Sequence, residues 1–130
     1  MGRLQMTLVD ASSWIEFLRG RDSLPGQRVK ALLVDGSAVW CDMTLVELWN
    51  GARGQMEKST LEELEGELRL CPVNEEVWTR ARKLARACRE NGVTAPSADI
   101  VIAACAIEHN LKLEHNDSHF EKILPLAAKA

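Results

Sequence analysis

No two of the four cysteines, Cys41, Cys71, Cys88 and Cys105, form a C-x-x-C pair. Zinc-ribbon and thioredoxin-like readings therefore fall away, and buried reduced thiols are expected in place of disulfides. A long apolar run is missing too: the longest, Ile100 to Ile107, is far short of the about 20 residues of a membrane helix. The opening MGRLQM has no apolar signal-peptide core, and Met6 stands where a myristoylation motif needs Ser or Thr. The expected location is the cytoplasm. Nor is there a basic excess. With 16 Lys and Arg against 19 Asp and Glu, net charge −3, the chain does not suit a passive nucleic-acid binder that relies on a basic surface. That balance leaves room for a nuclease whose acids are neutralised by metal.

What is present is an ordinary globular composition, 46% hydrophobic and 27% charged over 130 residues, which fits a single domain spanning 1–130 without repeat or linker. Thr7 to Asp10 suits a first buried strand, followed by a helix from near Trp14 capped by Ser12 or Ser13. Gly20 to Gly26 reads as a loop, Gln27 to Val34 as a helix ended by Asp35-Gly36, and Ala38 to Cys41 as a second strand. Asp42 or Thr44 is expected to cap the helix that carries Glu47 in its first turns. Met56 to Leu68 is a further helix, and Leu70 to Val73, interrupted by Pro72, an edge strand. Asn74 caps a long helix to about Glu90, with Val77, Ala81, Leu84, Ala85 and Cys88 as its apolar stripe. Pro96, Ser97 and Asp99 open a helix that is apolar almost all round. Leu111 to Glu114 is the last strand, Phe120, Ile123 and Leu124 belong to a short helix, and Leu126 to Ala130 is a tail. Strands alternating with helices predict an α/β fold with a parallel sheet covered on both faces.

In such a sheet ligands bind at the carboxyl ends of strands. Asp10 and Asp117 follow predicted strands, and Glu47 and Asp99 lie near the starts of helices that begin at strand ends, so one edge can gather all four. Singly, each has an ordinary alternative: a loop acid, an exposed helix acid, a helix-dipole residue and, for Asp117, an N-cap. Jointly they are hard to justify as packing, because two unit charges about 4 Å apart repel by about 4 kcal/mol at an effective dielectric of 20. A hard divalent cation relieves that repulsion, and an all-oxygen set selects Mg²⁺ or Mn²⁺ over zinc. Such a centre polarises a phosphodiester and activates water. Ser12 and Asn116 are placed to orient a carboxylate or water.

Arg80, Arg82, Lys83 and Arg86 share one helix, either as a solvated face or as a patch that tracks RNA phosphates. His115 and His119 are expected in surface or loop-packing roles, not as metal ligands, because the predicted loop removes a one-face i, i+4 geometry. Trp14, Trp40, Trp49 and Trp78 are read mostly as inward-facing core or dimer-contact residues.

LVDASSWIEFL, TLVELWNGAR, APSADIVIAACAIEHNLKL and HNDSHFEKI together resemble the PIN-domain family, and within it the VapC toxins of bacterial toxin–antitoxin pairs. The resemblance runs from about Leu8 to Ile123. It implies a three-layer α/β/α fold, Mg²⁺- or Mn²⁺-dependent endoribonuclease activity on RNA such as tRNA or rRNA, inhibition by a VapB-like antitoxin, and a homodimer. Carried over residue by residue, the acids are Asp10, Glu47, Asp99 and Asp117, and Ser12 matches the family's hydroxyl position. Asn116 departs from the Thr or small polar residue common there. Two rival readings remain: a PIN-like module that binds RNA or antitoxin without cutting, and a phosphoryl-accepting receiver-like domain. The second wants a lysine after a late strand, where this chain has HNDSH.

Overall fold

The computed structural model describes residues 5–129. Residues 1–4, most of the MGRLQM opening, and residue 130, the end of the predicted tail, lie outside that range. Four short strands, β1 (Thr7–Val9), β2 (Ala38–Cys41), β3 (Leu70–Cys71) and β4 (Lys112–Glu114), form one parallel sheet in the order β3-β2-β1-β4. The chain steps outward from β1 through β2 to β3 and then returns to the other side of β1. The carboxyl end of β1, next to β4, is therefore a topological switch point, where an open α/β sheet leaves a crevice.

Strand side chains alternate between faces, and the core divides accordingly. Leu8, Val39 and Cys41 pack with the long helices α5 (Glu75–Glu90) and α6 (Ser97–Glu108) and with Phe120 and Ile123 of α7 (His119–Ile123). Val9, Ala38 and Trp40 pack with α1 (Ala11–Leu18), α2 (Leu24–Val34), α3 (Asp42–Gly51) and α4 (Gly54–Glu67) through Trp14, Val29, Leu48 and Leu61. The result is the expected three-layer α/β/α arrangement, with β3 at the sheet edge where Pro72, lacking an N–H, ends it. All four cysteines are buried and free, Cys71 included.

Several local expectations shift. Helix α1 starts three residues early, at Ala11, because Asp10 itself is the N-cap and its Oδ2 accepts from the Ser12 N–H at 3.2 Å. Helix α2 begins at Leu24, since Ser23 caps it and Pro25 suits a first turn; the expected loop thus ends earlier, and Gly26 is helical. Neither Asp42 nor Thr44 caps α3: Cys41 is the cap position, and the Thr44 hydroxyl instead meets the Cys41 sulfur at 3.5 Å. On α5 the inner stripe uses Ala87, while Ala85 faces out. The tail continues as a 3₁₀ helix, Leu124–Lys129, with Leu126 buried. Of the tryptophans only Trp14 and Trp40 are core, their rings 5.1 Å apart; Trp49 and Trp78 are 36% and 44% exposed.

Candidate active site

Two oxygens of Asp10 have different fates. Oδ2 takes the helix cap and the Ser12 hydroxyl, which donates to it at 2.8 Å, so the carboxylate is pinned at the end of β1. Oδ1 is buried with no hydrogen-bond partner. The Ser12 Oγ in turn accepts from the Asn116 N–H at 3.0 Å, tying the loop after β4 to the start of α1. Asn116 thus enters through its backbone, and its side-chain identity is not used in that contact.

Asp99 stands in the first turn of α6 and is 6% exposed, and its Oδ2 has no hydrogen-bond partner. Glu47, in the second turn of α3, is half-buried, and its Oε1 is also unpartnered. Asp117 lies in the loop between β4 and α7, where its Oδ1 accepts the His119 N–H at 2.9 Å. Its ordinary alternative as N-cap is not realised, since Ser118 holds that position; the Asp117 side chain instead closes a tight turn just before α7.

The four acids act on one another. Burial, then the charges of Asp10, Asp99, Cys41 and Asp117, push Glu47 up to about 7. Asp99 rises through burial first and then the charges of Asp10 and Asp117; Asp10 rises through burial against the pull of the Ser12 bonds, with Asp117 adding to the rise. Asp117 alone is lowered: burial raises it, but the bonds and charge of His119, with His115, outweigh that. Like charges brought together with unpartnered oxygens leave a negative potential that His119 and His115 offset only in part.

One member was not expected. His119 Nδ1 lies 2.8 Å from Asp117 Oδ1 and 3.1 Å from Asp99 Oδ2, whereas His115 takes the predicted loop-packing role, its ring 5.0 Å from that of Phe120. His119 keeps a partly exposed loop position, but its ring also meets the carboxylates of Asp117 and Asp99, a contact that the expected surface or loop-packing role does not include. The physical reason is the tight turn, which swings the ring of the second residue after Asp117 back toward its carboxylate. A histidine two places after a loop acid that opens a helix was the available signal.

Oxygen donors from Asp10, Glu47, Asp99 and Asp117 suit a hard divalent cation, and the unpartnered Oδ1, Oε1 and Oδ2 atoms are the acceptors such an ion would satisfy. Asp99, Asp117 and His119 offer ligand atoms all within 4.8 Å of one another. Among the basic residues, Arg80 is bonded to Glu108 at 2.8 Å on the α6 side, while Arg82, Lys83 and Arg86 are exposed on the outer face of α5.

Residues 7–124 match the model of the PIN domain. The chain is 34% identical over 122 residues to VapC ribonuclease Mb1587 of Mycobacterium bovis and to ribonuclease VapC11 of Mycobacterium tuberculosis, covering 91% of this chain and 91% of each relative. Among solved structures it superposes on VapBC2 of Rickettsia felis bound to a promoter DNA fragment, with a TM-score of 0.75 at 15% identity, covering 91% of this chain and 92% of that one. FitAcB of Neisseria gonorrhoeae gives 0.70 at 24% identity, covering 95% and 94%. At those identities the structural likeness concerns the fold.

Proposed function

This chain belongs to the PIN-domain family, and on that footing we propose that it is a metal-dependent endoribonuclease toxin that hydrolyses RNA phosphodiester bonds and is neutralised by a VapB-like antitoxin. The observation that carries the reading is the set of buried, unpartnered carboxylate oxygens of Asp10, Glu47 and Asp99 beside Asp117 at the switch point. These four acids would hold Mg²⁺ or Mn²⁺. When bound, the cation supplies Lewis-acid polarisation of the scissile phosphate and offsets charge on the attacking and leaving oxygens.

The chain's own residues do the rest. Asp10 is held by its cap bond and by Ser12, so one oxygen faces the crevice without rotamer search. Ser12 and the Asn116 backbone couple the two loops that present Asp10 and Asp117, so both carboxylates keep their relative positions. Glu47, with its Oε1 buried and unpartnered beside the other acids, would complete the oxygen donors around the cation. Arg82, Lys83 and Arg86, with Arg80 at the flank, would contact RNA phosphates. Exposed Val46 and Trp49 on α3 and Met56 on α4 support a protein partner, antitoxin or second copy, at that surface. Among the described residues no helix is long and apolar enough to cross a membrane, and a cytoplasmic setting, with tRNA or rRNA as substrate, fits the reading.

The test is cleavage of total cellular RNA by the purified protein with Mg²⁺, Mn²⁺ or EDTA, beside Asp10→Asn. Discrete metal-dependent fragments that vanish in the variant are expected. Absence of cleavage with every metal, in protein shown free of antitoxin, would overturn the assignment.

A further inference from the structure

Resting on the reading that the acids hold a divalent cation, we infer that His119 Nδ1 is a direct ligand of that cation, making the centre a mixed nitrogen and oxygen site. Its consequence is ion choice: the site discriminates against Mg²⁺ in favour of first-row transition ions, Mn²⁺ and Co²⁺ included.

The spacing carries the inference. Nδ1 stands 2.8 Å from Asp117 Oδ1 and 3.1 Å from Asp99 Oδ2. An octahedral cation with bonds of about 2.1 Å separates neighbouring ligands by about 3 Å, so both contacts match edges of one coordination shell. They match an ion pair equally in length, and His119 does lower Asp99 and Asp117, yet Nδ1 and Asp99 Oδ2 are both buried without a hydrogen bond of good angle. Two buried donor atoms one coordination edge apart, without an aligned bond, can both direct lone pairs at a common ion beside them. The Asp99 side chain is 8% exposed and fixed at the start of α6, so it cannot turn to water. His119 is more exposed, at 39% of its side chain, but Asp117 holds its backbone N–H at 2.9 Å, which keeps the residue beside the two carboxylates. Ligation needs the Nδ1 lone pair, which places the ring proton on Nε2.

The chemistry of the donor then sets the preference. Mg²⁺ takes oxygen ligands almost exclusively and binds nitrogen poorly, whereas affinity for imidazole rises from Mn²⁺ to Co²⁺ along the divalent series. Removing His119 should therefore weaken Co²⁺ most, Mn²⁺ next and Mg²⁺ least.

Pulsed electron paramagnetic resonance of the Mn²⁺-loaded protein reads the bond without catalysis. A ¹⁴N coupling is expected, replaced by a ¹⁵N coupling when the histidines are ¹⁵N-labelled, retained in His115→Ala and lost in His119→Ala. Calorimetric titration of His119→Ala should show Co²⁺ and Mn²⁺ affinity reduced by about 10- to 100-fold and Mg²⁺ by less than about 3-fold. A wild-type Mn²⁺ complex without nitrogen coupling overturns the inference while leaving the nuclease reading intact, and so do equal losses for all three ions. Failure of the wild type to bind any of the three overturns both. The wild-type spectrum decides even if His119→Ala does not fold.

Discussion

The two edges of the sheet make opposite use of polar atoms. At the amino edge a cavity of about 650 Å³ opens among Met6, Arg69, Leu70, Cys71, His109 and Leu111. Its histidine is satisfied, with Nε2 2.8 Å from the Pro72 carbonyl oxygen. At the carboxyl edge the four carboxylates lie near enough to raise one another's proton affinity, with Asp99 and Asp117 closest together beside His119. Among the described residues five buried side-chain polar atoms lack a hydrogen-bond partner, and four of them, on Asp10, Glu47, Asp99 and His119, belong to that edge. Under the proposed nuclease reading, unmet electrostatic demand and not room marks the functional end of this molecule. Stability theory agrees, because a marginally stable domain carries buried repulsion only where something later relieves it.

The sharpest way to break the comparison is to remove the demand. Asp99→Asn keeps the shape of the side chain and removes one charge. RNA cleavage with Mg²⁺ or Mn²⁺ should fall by about a thousandfold or more, while the metal-free variant melts at the same temperature or higher because repulsion is relieved. Parallel cleavage assays and thermal melts in EDTA check this; marked unfolding of the metal-free variant would show that Asp99 is structural. Next in size is Ser12→Ala, which removes the hydroxyl between Asp10 and the Asn116 N–H. The cap bond from the Ser12 N–H survives, so the fold should hold while kcat drops by about 10- to 100-fold.

How much of this was legible in the sequence follows the range of the interaction involved. Strand β2, the Gly36 stop after α2, the Asn74 cap and the buried α6 depend on neighbours in the chain, and each appears where local rules put it. The placement of the four acids near one another was also legible, because the ends of strands and helices are local features and the switch point follows from their order. What was missed needed three dimensions or a second use of one residue. Asp10 was assigned to the site and its capping role passed to serine, yet one carboxylate does both. His119 was dismissed on helical spacing, but a side-chain turn, not a helix face, brings it in. Trp49 and Trp78, read as inward-facing core or dimer-contact residues, are not core: both are exposed, and Trp49 donates its ring N–H to Glu65 at the surface.

Titration offers a smaller effect with a definite sign. Glu47 ionises at about 7 in the folded protein against a usual value of 4.5, so between those limits the folded state holds a proton that the unfolded state has lost. Stability of the metal-free protein should therefore fall as pH rises from 4.5 toward 7 and level off above it. Because Glu47 is only partly buried, screening reduces the Glu47 contribution to about 1 kcal/mol. Asp10 and Asp99, also raised, act in the same direction. Denaturation in EDTA across this range checks the slope; Glu47→Gln should flatten it, and added Mg²⁺ should reverse it, since only ionised carboxylates bind the ion.

The smallest effect sharpens the comparison from its other side. His109→Ala removes the contact with the Pro72 carbonyl, which joins the end of α6 to the segment leaving β3. A single hydrogen bond at a partly solvated position is worth about 1 kcal/mol, which lowers the melting temperature of a domain this size by about 3–5 °C. Neither cleavage rate nor metal affinity should change, because nothing at the amino edge carries the charge the crevice needs. If His109→Ala instead cut cleavage tenfold at unchanged stability, the amino-edge cavity would be part of the functional machinery, and the division between a structural and a chemical edge would fail.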